Sequence, residues 1–239
     1  DLQVFVQPPK PVITGPVTPT SSLRPTMTWT AVPGVTQYNV NVTNRSTNTD
    51  NYNLATVTGT SYTPTVDFGI GSYLYTVQSV GTPGGPPSYP SVPYLFYIKA
   101  PVTGLQTTAV QTNVRPTLTW NALPGALRYD VWIDNLTTNQ TQFIRNQNVP
   151  TTSFTPSADL PFGNYRAYVR GIPDNSGNYP GAWSAPLNFS IVQLAAPVIT
   201  QGQNPTFDQT PTFAWNAVSG AAKYDVVVRS VTTGRKVVD

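Results

Sequence analysis

Short runs in which apolar and polar residues alternate recur along this chain, separated by turn residues. Leu118, Trp120 and Ala122, for example, alternate with the polar residues Thr119 and Asn121. A period of two places successive side chains on opposite faces of a strand. Pro and Gly mark the turns between these runs, and no run shows the 3.6-residue period of an amphipathic helix. The pattern therefore predicts an all-β chain of short antiparallel strands.

A longer version of this pattern occurs three times. In each copy an alternating strand around a Trp is followed by a turn and by a second alternating strand that begins at a Tyr. The tryptophans are Trp29, Trp120 and Trp215, which lie 91 and 95 residues apart. A fixed period of this length indicates tandem copies of one small domain. The three copies are RPTMTWTAVPGVTQYNVNV (24–42), RPTLTWNALPGALRYDVWI (115–133) and TPTFAWNAVSGAAKYDVVV (210–228).

Alignment of the copies outward from the tryptophans predicts four segments. Residues 1–10 correspond to the last strand of a preceding repeat plus a linker, residues 11–99 to repeat 1, and residues 100–195 to repeat 2. Residues 196–239 correspond to the first strands of an incomplete repeat 3. So short a segment cannot close a sandwich core, and we therefore expect the sequence to be part of a longer polypeptide. The joints are short and contain proline, which predicts a semi-rigid rod.

Repeat 2 shows seven alternating runs with turn signals at short intervals, which predicts an antiparallel β-sandwich. The repeats resemble fibronectin type III or closely related immunoglobulin-like modules. The resemblance rests on the repeated Trp and Tyr, on Gly71-Ser72-Tyr73 and Gly163-Asn164-Tyr165 before the sixth strand, and on Trp183-Ser184 before the last strand. Repeat 1 departs from this pattern, with Tyr89-Pro90 in the place of Trp183-Ser184. The resemblance implies tandem seven-stranded sandwiches that serve in extracellular spacing, adhesion or binding.

Aromatic residues at the repeated positions are predicted to fill the cores between the sheets. Two of them, Tyr73 and Tyr165, match the tyrosine corner of this fold, in which the hydroxyl bonds to nearby backbone. The predicted core aromatics are Trp29, Tyr38, Tyr73, Trp120, Tyr129, Tyr165, Trp183, Trp215 and Tyr224.

The outer face of repeat 2 differs from that of repeat 1. Trp132 has the opposite parity to the inward-facing residues of its strand, so we expect it to point away from the core. Arg166, Tyr168 and Arg170 share this outward parity on the sixth strand, which neighbours the third strand in this fold. Guanidinium groups are expected to stack on the aromatic rings. The face is therefore a candidate surface for binding or assembly, and packing of these side chains on each other is the alternative.

Composition argues against several classes of function. The chain has no Cys, His or Glu, and only 10% of its residues are charged. It thus lacks the usual general base, the thiolate nucleophile and the commonest transition-metal ligands, and we expect no catalytic, cofactor or metal site. Thirteen basic residues form no cluster, which argues against binding to nucleic acid. No apolar run reaches the length of a membrane span.

These features favour a non-catalytic structural segment of a long extracellular or cell-surface protein, such as a stalk, fibre, surface layer or adhesin shaft. Open sheet edges and low charge favour a protein partner, through self-association into filaments or through contact with neighbouring surface proteins. A carbohydrate- or protein-binding module that uses the outer face of repeat 2 is one alternative, with polysaccharide as a partner. An accessory region of a large secreted enzyme is another. Repeats with separate cores are expected to unfold one at a time.

Overall fold

The chain folds into β-strands separated by turns, as predicted. The computed structural model describes residues 7–47, 49–81, 85–174, 176–202 and 210–238. Eighteen strands and no helix occur in these ranges, which confirms the all-β prediction. This part of the chain accordingly contains no helix long and apolar enough to cross a membrane. The strand predicted within residues 1–10 falls on residues outside the described ranges, apart from its end.

Seven strands in the range predicted for repeat 1 form two sheets. They are β1 (Ile13–Gly15), β2 (Met27–Trp29), β3 (Gln37–Asn44), β4 (Thr49–Thr58), β5 (Ser61–Tyr62), β6 (Gly71–Ser79) and β7 (Tyr94–Ile98). One sheet has the order β1-β2-β5 and the other the order β4-β3-β6-β7. Trp29 of the first sheet contacts Tyr38 of the second, with ring centroids 5.5 Å apart. The core therefore lies between the two sheets, as in a sandwich.

Repeat 2 also has seven strands in two sheets, but its first strand joins the larger sheet and not the smaller one. The seven strands are β8 (Val110–Gln111), β9 (Leu118–Thr119), β10 (Arg128–Asn135), β11 (Gln140–Val149), β12 (Ser153–Phe154), β13 (Gly163–Ile172) and β14 (Leu187–Ile191). The sheets have the orders β12-β9 and β11-β10-β13-β14-β8. The edge strand β8 runs parallel to β14, whereas the other strand pairs of repeat 2 are antiparallel, as predicted.

A tyrosine corner fixes the start of the sixth strand in both repeats. The Tyr73 hydroxyl donates to the carbonyl oxygen of Gly69, and the Tyr165 hydroxyl to that of Pro161, each at 2.7 Å. Both tyrosines are fully buried, and burial raises the pKa of Tyr165. The bond from each tyrosine hydroxyl to nearby backbone is as predicted, and it satisfies a phenol that burial removes from water.

The tyrosine that begins the third strand has a repeated role of its own. In each repeat its hydroxyl accepts a hydrogen bond from the backbone N–H six residues earlier, in the turn that follows the Trp strand. This bond ties the turn to the strand, which explains why the Trp, the turn and the Tyr recur together in the sequence. The donor and acceptor pairs are Val32 and Tyr38 (2.9 Å), Leu123 and Tyr129 (3.0 Å), and Val218 and Tyr224 (2.7 Å).

Residues 196–239 contain four described strands in two separate pairs. They are β15 (Ile199–Gln201), β16 (Ala214–Trp215), β17 (Val228–Arg229) and β18 (Lys236–Val238). Trp215 packs against Tyr224 with ring centroids 5.4 Å apart, as the equivalent pairs do in repeats 1 and 2. Both rings are only half-buried here and line a cavity of about 340 Å³. The predicted core residues Trp215 and Tyr224 therefore contact each other, but the described residues cover them only in part.

Candidate binding face on repeat 2

The register of the large sheet of repeat 2 brings the outward-facing residues of three strands together. Trp132 of β10 lies directly opposite Tyr168 of β13 on one side and Arg145 of β11 on the other. In the same register Asp130 lies opposite Arg170. These side chains share one face because residues directly opposite in antiparallel strands point to the same side of the sheet.

A buried carboxylate organises the basic residues of this face. Asp130 is fully buried, and its oxygens accept hydrogen bonds from Arg145 Nε and Nη2 at 3.3 and 3.0 Å. Arg170 donates to the same carboxylate from Nε at 3.0 Å, with its Nη2 at 2.9 Å. A buried charge is costly unless it is paired and hydrogen-bonded, and here both arginines contribute. Asp130 thus holds the two guanidinium groups in fixed positions on either side of β10.

The fixed guanidinium groups cover the faces of two tryptophans. Arg170 lies 4.4 Å above the ring of Trp183, and Arg145 lies 5.6 Å from the ring centroid of Trp132. Both distances are within the range of cation–π attraction. Arginine therefore stacks on aromatic rings as predicted. Arg170, however, stacks on Trp183, which the sequence analysis had assigned to the core.

Trp183 corrects one of the predictions for the core. The structure places this side chain on the outer face, half-buried, and not among the buried residues between the sheets. Its ring meets the edges of Trp132 and Tyr168 at interplanar angles of 81° and 69°. Trp183 lies in the segment before β14, so its direction depends on the path of that segment and not on a strand period. The other core aromatics predicted for repeats 1 and 2, namely Trp29, Tyr38, Tyr73, Trp120, Tyr129 and Tyr165, lie among the buried residues.

Three aromatic rings and one carboxylate line a cup on this face. Trp132, Tyr168, Trp183 and Asp134 surround a volume of about 180 Å³, which we call the aromatic cup. Asp134 is held in place because its Oδ1 accepts from Trp132 Nε1 at 2.5 Å and from the backbone N–H of Gln142 at 2.9 Å. The cup can therefore offer apolar ring surface together with a fixed acceptor.

The outer face thus contains more than the four residues that the sequence singled out. Trp132 and Tyr168 meet as expected, with centroids 6.2 Å apart. Arg170 belongs to the Asp130 network, whereas Arg166 points toward β14 and donates from Nε to Asn188 at 3.2 Å. The sequence analysis missed Trp183, Arg145, Asp130 and Asp134. The two aspartates have the same outward parity as Trp132 on β10, so the parity that identified Trp132 also predicts their direction.

Hydrogen bonds also correct the alignment of the two repeats next to this face. Ser184 accepts from the Val169 N–H through Oγ at 3.1 Å, and its own N–H donates to the Val169 carbonyl. Ser91 makes the same two bonds with Val77. Pro90-Ser91 therefore corresponds to Trp183-Ser184, and the alignment with Tyr89-Pro90 was wrong by one residue. Repeat 1 has a proline where repeat 2 has the tryptophan of the cup.

Among the side chains that the structure describes, the comparable face of repeat 1 carries no such cluster. Asn39, Asn41 and Thr43 hold the positions of Asp130, Trp132 and Asp134, and Asn39 Oδ1 accepts a hydrogen bond from Thr56 at 2.8 Å. The described residues of the whole chain contain no group of three or more acidic side chains placed to hold a metal ion. The face of repeat 2 offers aromatic rings, guanidinium groups and the Asp134 carboxylate for stacking, apolar contact and hydrogen bonding.

Comparison with solved structures shows that the fold is similar to that of tandem fibronectin type III domains. A two-domain fibronectin type III segment of chicken tenascin matches 77% of this chain and 97% of its own length, with 14% sequence identity and a TM-score of 0.54. The chicken interferon gamma receptor alpha chain matches 77% of this chain and 98% of its own, with 14% identity and a TM-score of 0.47. The FN1–FN3 domains of chicken CNTN1 match 77% and 68%, with 13% identity and a TM-score of 0.32. No protein-family model and no curated protein matches the sequence.

Proposed function

Since the chain consists of tandem β-sandwich repeats with the fibronectin type III fold, we propose that it is a non-catalytic structural segment of a modular extracellular or cell-surface protein. Its role is to hold neighbouring parts of that protein at a set distance and angle. The observation that carries this proposal is the joint between repeats 1 and 2, where backbone packs directly on backbone.

The joint is built around two glycines, one from each repeat. An added Cβ on Gly69 would lie 2.4 Å from Gly125 Cα, and one on Gly125 would lie 2.6 Å from Gly69 Cα. Neither position therefore has room for a side chain. Next to them the backbone N–H of Ile70 donates to the carbonyl of Pro124 at 2.9 Å. The loop before β6 is thus hydrogen-bonded to the turn before β10.

Side chains close the joint on both sides of the glycines. Ile70 is fully buried, and its Cδ1 would lie 2.8 Å from a Cβ added to Gly171 of repeat 2. Tyr97 stacks on Tyr179 with ring centroids 4.8 Å apart and an interplanar angle of 21°. Desolvation raises the pKa of Tyr97, and the nearby Tyr179 raises it further. A joint with a buried apolar residue and fixed hydrogen bonds restrains the angle between domains far more than a solvated linker.

Composition supports the non-catalytic part of the proposal. The chain contains no Cys, His or Glu, and among the aspartates that the structure describes three form ion pairs with arginines. Asp67 and Asp159 form exposed pairs with Arg24 and Arg115, and Asp130 belongs to the buried network. Carboxylates engaged in this way serve the fold.

A distance measurement across the joint tests the structural role. Because the chain has no Cys, Thr58→Cys in β4 and Thr141→Cys in β11 allow one spin label on each repeat at an exposed site. We expect a narrow distribution of distances between the two spin labels, measured by double electron–electron resonance. Gly125→Ala should broaden it, because the added methyl group forces the repeats apart. A broad distribution in the parent protein would contradict the proposed rigid spacing.

Gly34→Ala is the matched control for this measurement. Gly34 and Gly125 occupy the same turn in repeats 1 and 2 and have nearly equal backbone angles, with φ of 76° and 78°. Both substitutions therefore carry the same strain of about 1–2 kcal/mol for a left-handed residue with a side chain. Only Gly125 touches the other repeat, since nothing lies within 4 Å of a Cβ added to Gly34. Gly34→Ala should leave the distance distribution unchanged.

A further inference from the structure

We propose that the aromatic cup of repeat 2 binds a single sugar ring, the terminal residue of an extracellular glycan. This inference goes beyond the structural role, which depends on the joint and not on the outer face. The ring geometry, the free polar atoms and the charge around Trp132, Asp134, Tyr168 and Trp183 support it.

The arrangement of the rings selects one sugar and not a stretch of polysaccharide. The planes of Trp132, Tyr168 and Trp183 are inclined to each other by 62–81°, with centroids 5.5–6.4 Å apart. Rings inclined in this way form the walls of a cup and not the flat platform on which successive sugars of a chain would stack. The volume of about 180 Å³ is also smaller than the roughly 300 Å³ at which drug-sized sites begin. A single six-membered ring fits this description.

The polar atoms of the cup match the hydroxyl groups of a sugar. Asp134 Oδ1 is occupied by two N–H donors, and within the described part of the chain no hydrogen bond reaches its Oδ2 or the hydroxyl of Tyr168. A carboxylate accepts strong, short hydrogen bonds from hydroxyl groups. Its two existing bonds hold Asp134 in position before a ligand arrives, which reduces the cost of ordering on binding. The rings then cover the C–H surface of the sugar while Asp134 accepts from its hydroxyls.

The charges around the cup favour a neutral ligand over a cation. Aromatic rings next to a carboxylate also suit an ammonium group. Here, however, Arg145 and Arg170 already place a positive charge over one face of Trp132 and of Trp183, and Arg166 lies opposite Asp134 in the register. Three arginines against two aspartates leave the face with a net positive charge, which opposes a further cation. A sugar does not meet this repulsion.

The proposal is tested by titrating the ¹⁵N-labelled chain with the methyl glycosides of glucose, galactose, mannose and N-acetylglucosamine. The indole Nε1–H of Trp132 is the reporter, because it donates to Asp134 inside the cup. We expect a saturable shift of this signal with at least one sugar, with a dissociation constant on the order of 1 mM for so small a ligand. No saturable shift with any of the four would overturn the proposal. A shift with tetramethylammonium but with no sugar would identify a cation site instead.

Two variants separate binding from folding. Asp134→Asn keeps an oxygen that accepts from Trp132 and Gln142 but removes the charge, and it should weaken sugar binding at least tenfold. Tyr168→Ser removes one wall of the cup at a half-exposed strand position and should abolish the saturable shift. Asp159→Asn, at an exposed aspartate of the same repeat, should leave the titration unchanged. Equal binding by the parent chain and both cup variants would overturn the proposal while leaving the rigid joint untouched, so the two proposals can fail separately.

Discussion

Asp130 and Arg170 face each other across β10 and β13, with the Asp130 carboxylate 2.9 Å from Arg170 Nη2 and fully buried beneath it. Arg145 reaches the same carboxylate from the other neighbouring strand. One acidic side chain therefore joins three strands of the large sheet of repeat 2. It also sets the positions of the guanidinium groups that cover Trp132 and Trp183.

Replacing this carboxylate should destabilise repeat 2 strongly. Asp130→Asn removes the charge that both arginines share. It leaves one neutral amide oxygen to accept hydrogen bonds from two guanidinium groups. Because Arg145 and Arg170 remain partly exposed to water, we expect a loss of about 2–3 kcal/mol, near the lower end for breaking a buried ion pair. Urea denaturation followed by tryptophan fluorescence measures this loss. Asp159→Asn, which breaks the exposed pair with Arg115, should cost below about 1 kcal/mol, and similar losses for the two variants would contradict the role given to Asp130.

The tyrosine corner of repeat 2 should contribute one hydrogen bond to stability. Tyr165→Phe keeps the buried ring, which stacks on Phe189 with centroids 5.3 Å apart, but removes the donor to the Pro161 carbonyl. We expect the free energy of unfolding to fall by about 1 kcal/mol. Thermal denaturation followed by circular dichroism is the measurement. Tyr89→Phe, at a tyrosine that is 73% exposed, should change stability by less than about 0.5 kcal/mol.

The periodicity of the sequence predicts much of this architecture. The strands, the sandwich and the buried Trp and Tyr follow from alternation and from its repetition. The outward direction of Trp132 and Tyr168 also follows, because parity along a strand determines the face of the sheet. Within a strand whose residues alternate, counting the period therefore predicts which face of the sheet a side chain occupies.

The remaining features of the face depend on contacts between distant parts of the chain. Asp130 has outward parity yet is fully buried, because arginines from two other strands cover it. Arg145 lies in β11, where exposed residues follow one another and no alternation marks the face. Trp183 lies in a segment before β14 that has no period. Local sequence patterns do not encode these contacts. Only the folded structure shows that Asp130, Arg145 and Trp183 lie on one face.

High pH should destabilise repeat 1 through Tyr75. Burial raises the pKa of this phenol above its usual value of 10.0, and in its protonated form the hydroxyl donates to the Thr28 carbonyl at 3.2 Å. The folded chain thus keeps this proton at pH values where the unfolded chain loses it. Stability is therefore retained below about pH 10 and falls as the pH rises further. Urea midpoints measured from about pH 8 to 11 should fall at the upper end, and less steeply in Tyr75→Phe than in Tyr89→Phe.

The joint between the repeats should transmit a change made in repeat 1 to the backbone of repeat 2. Ile70 belongs to repeat 1, is 1% exposed, and contacts the segments of repeat 2 around Gly171 and Gly181. Ile70→Ala should cost about 2–4 kcal/mol, because it leaves a cavity at the joint. The bonds next to this cavity run from the Gly181 N–H to the Gly171 carbonyl and from the Ala182 N–H to the Lys99 carbonyl.

Hydrogen exchange measures whether this transmission takes place. The amides of Gly181 and Ala182 should exchange faster in Ile70→Ala, because their bonds open more often when the apolar contact beside them is lost. Val66→Ala removes a side chain of similar kind that is 51% exposed, and it should leave both amides unchanged. If the effect of Ile70→Ala stayed within repeat 1, the two sandwiches would be mechanically independent despite their close packing. The proposed function as a rigid spacer would then lose its main support, since a rod transmits load only through joints that resist opening.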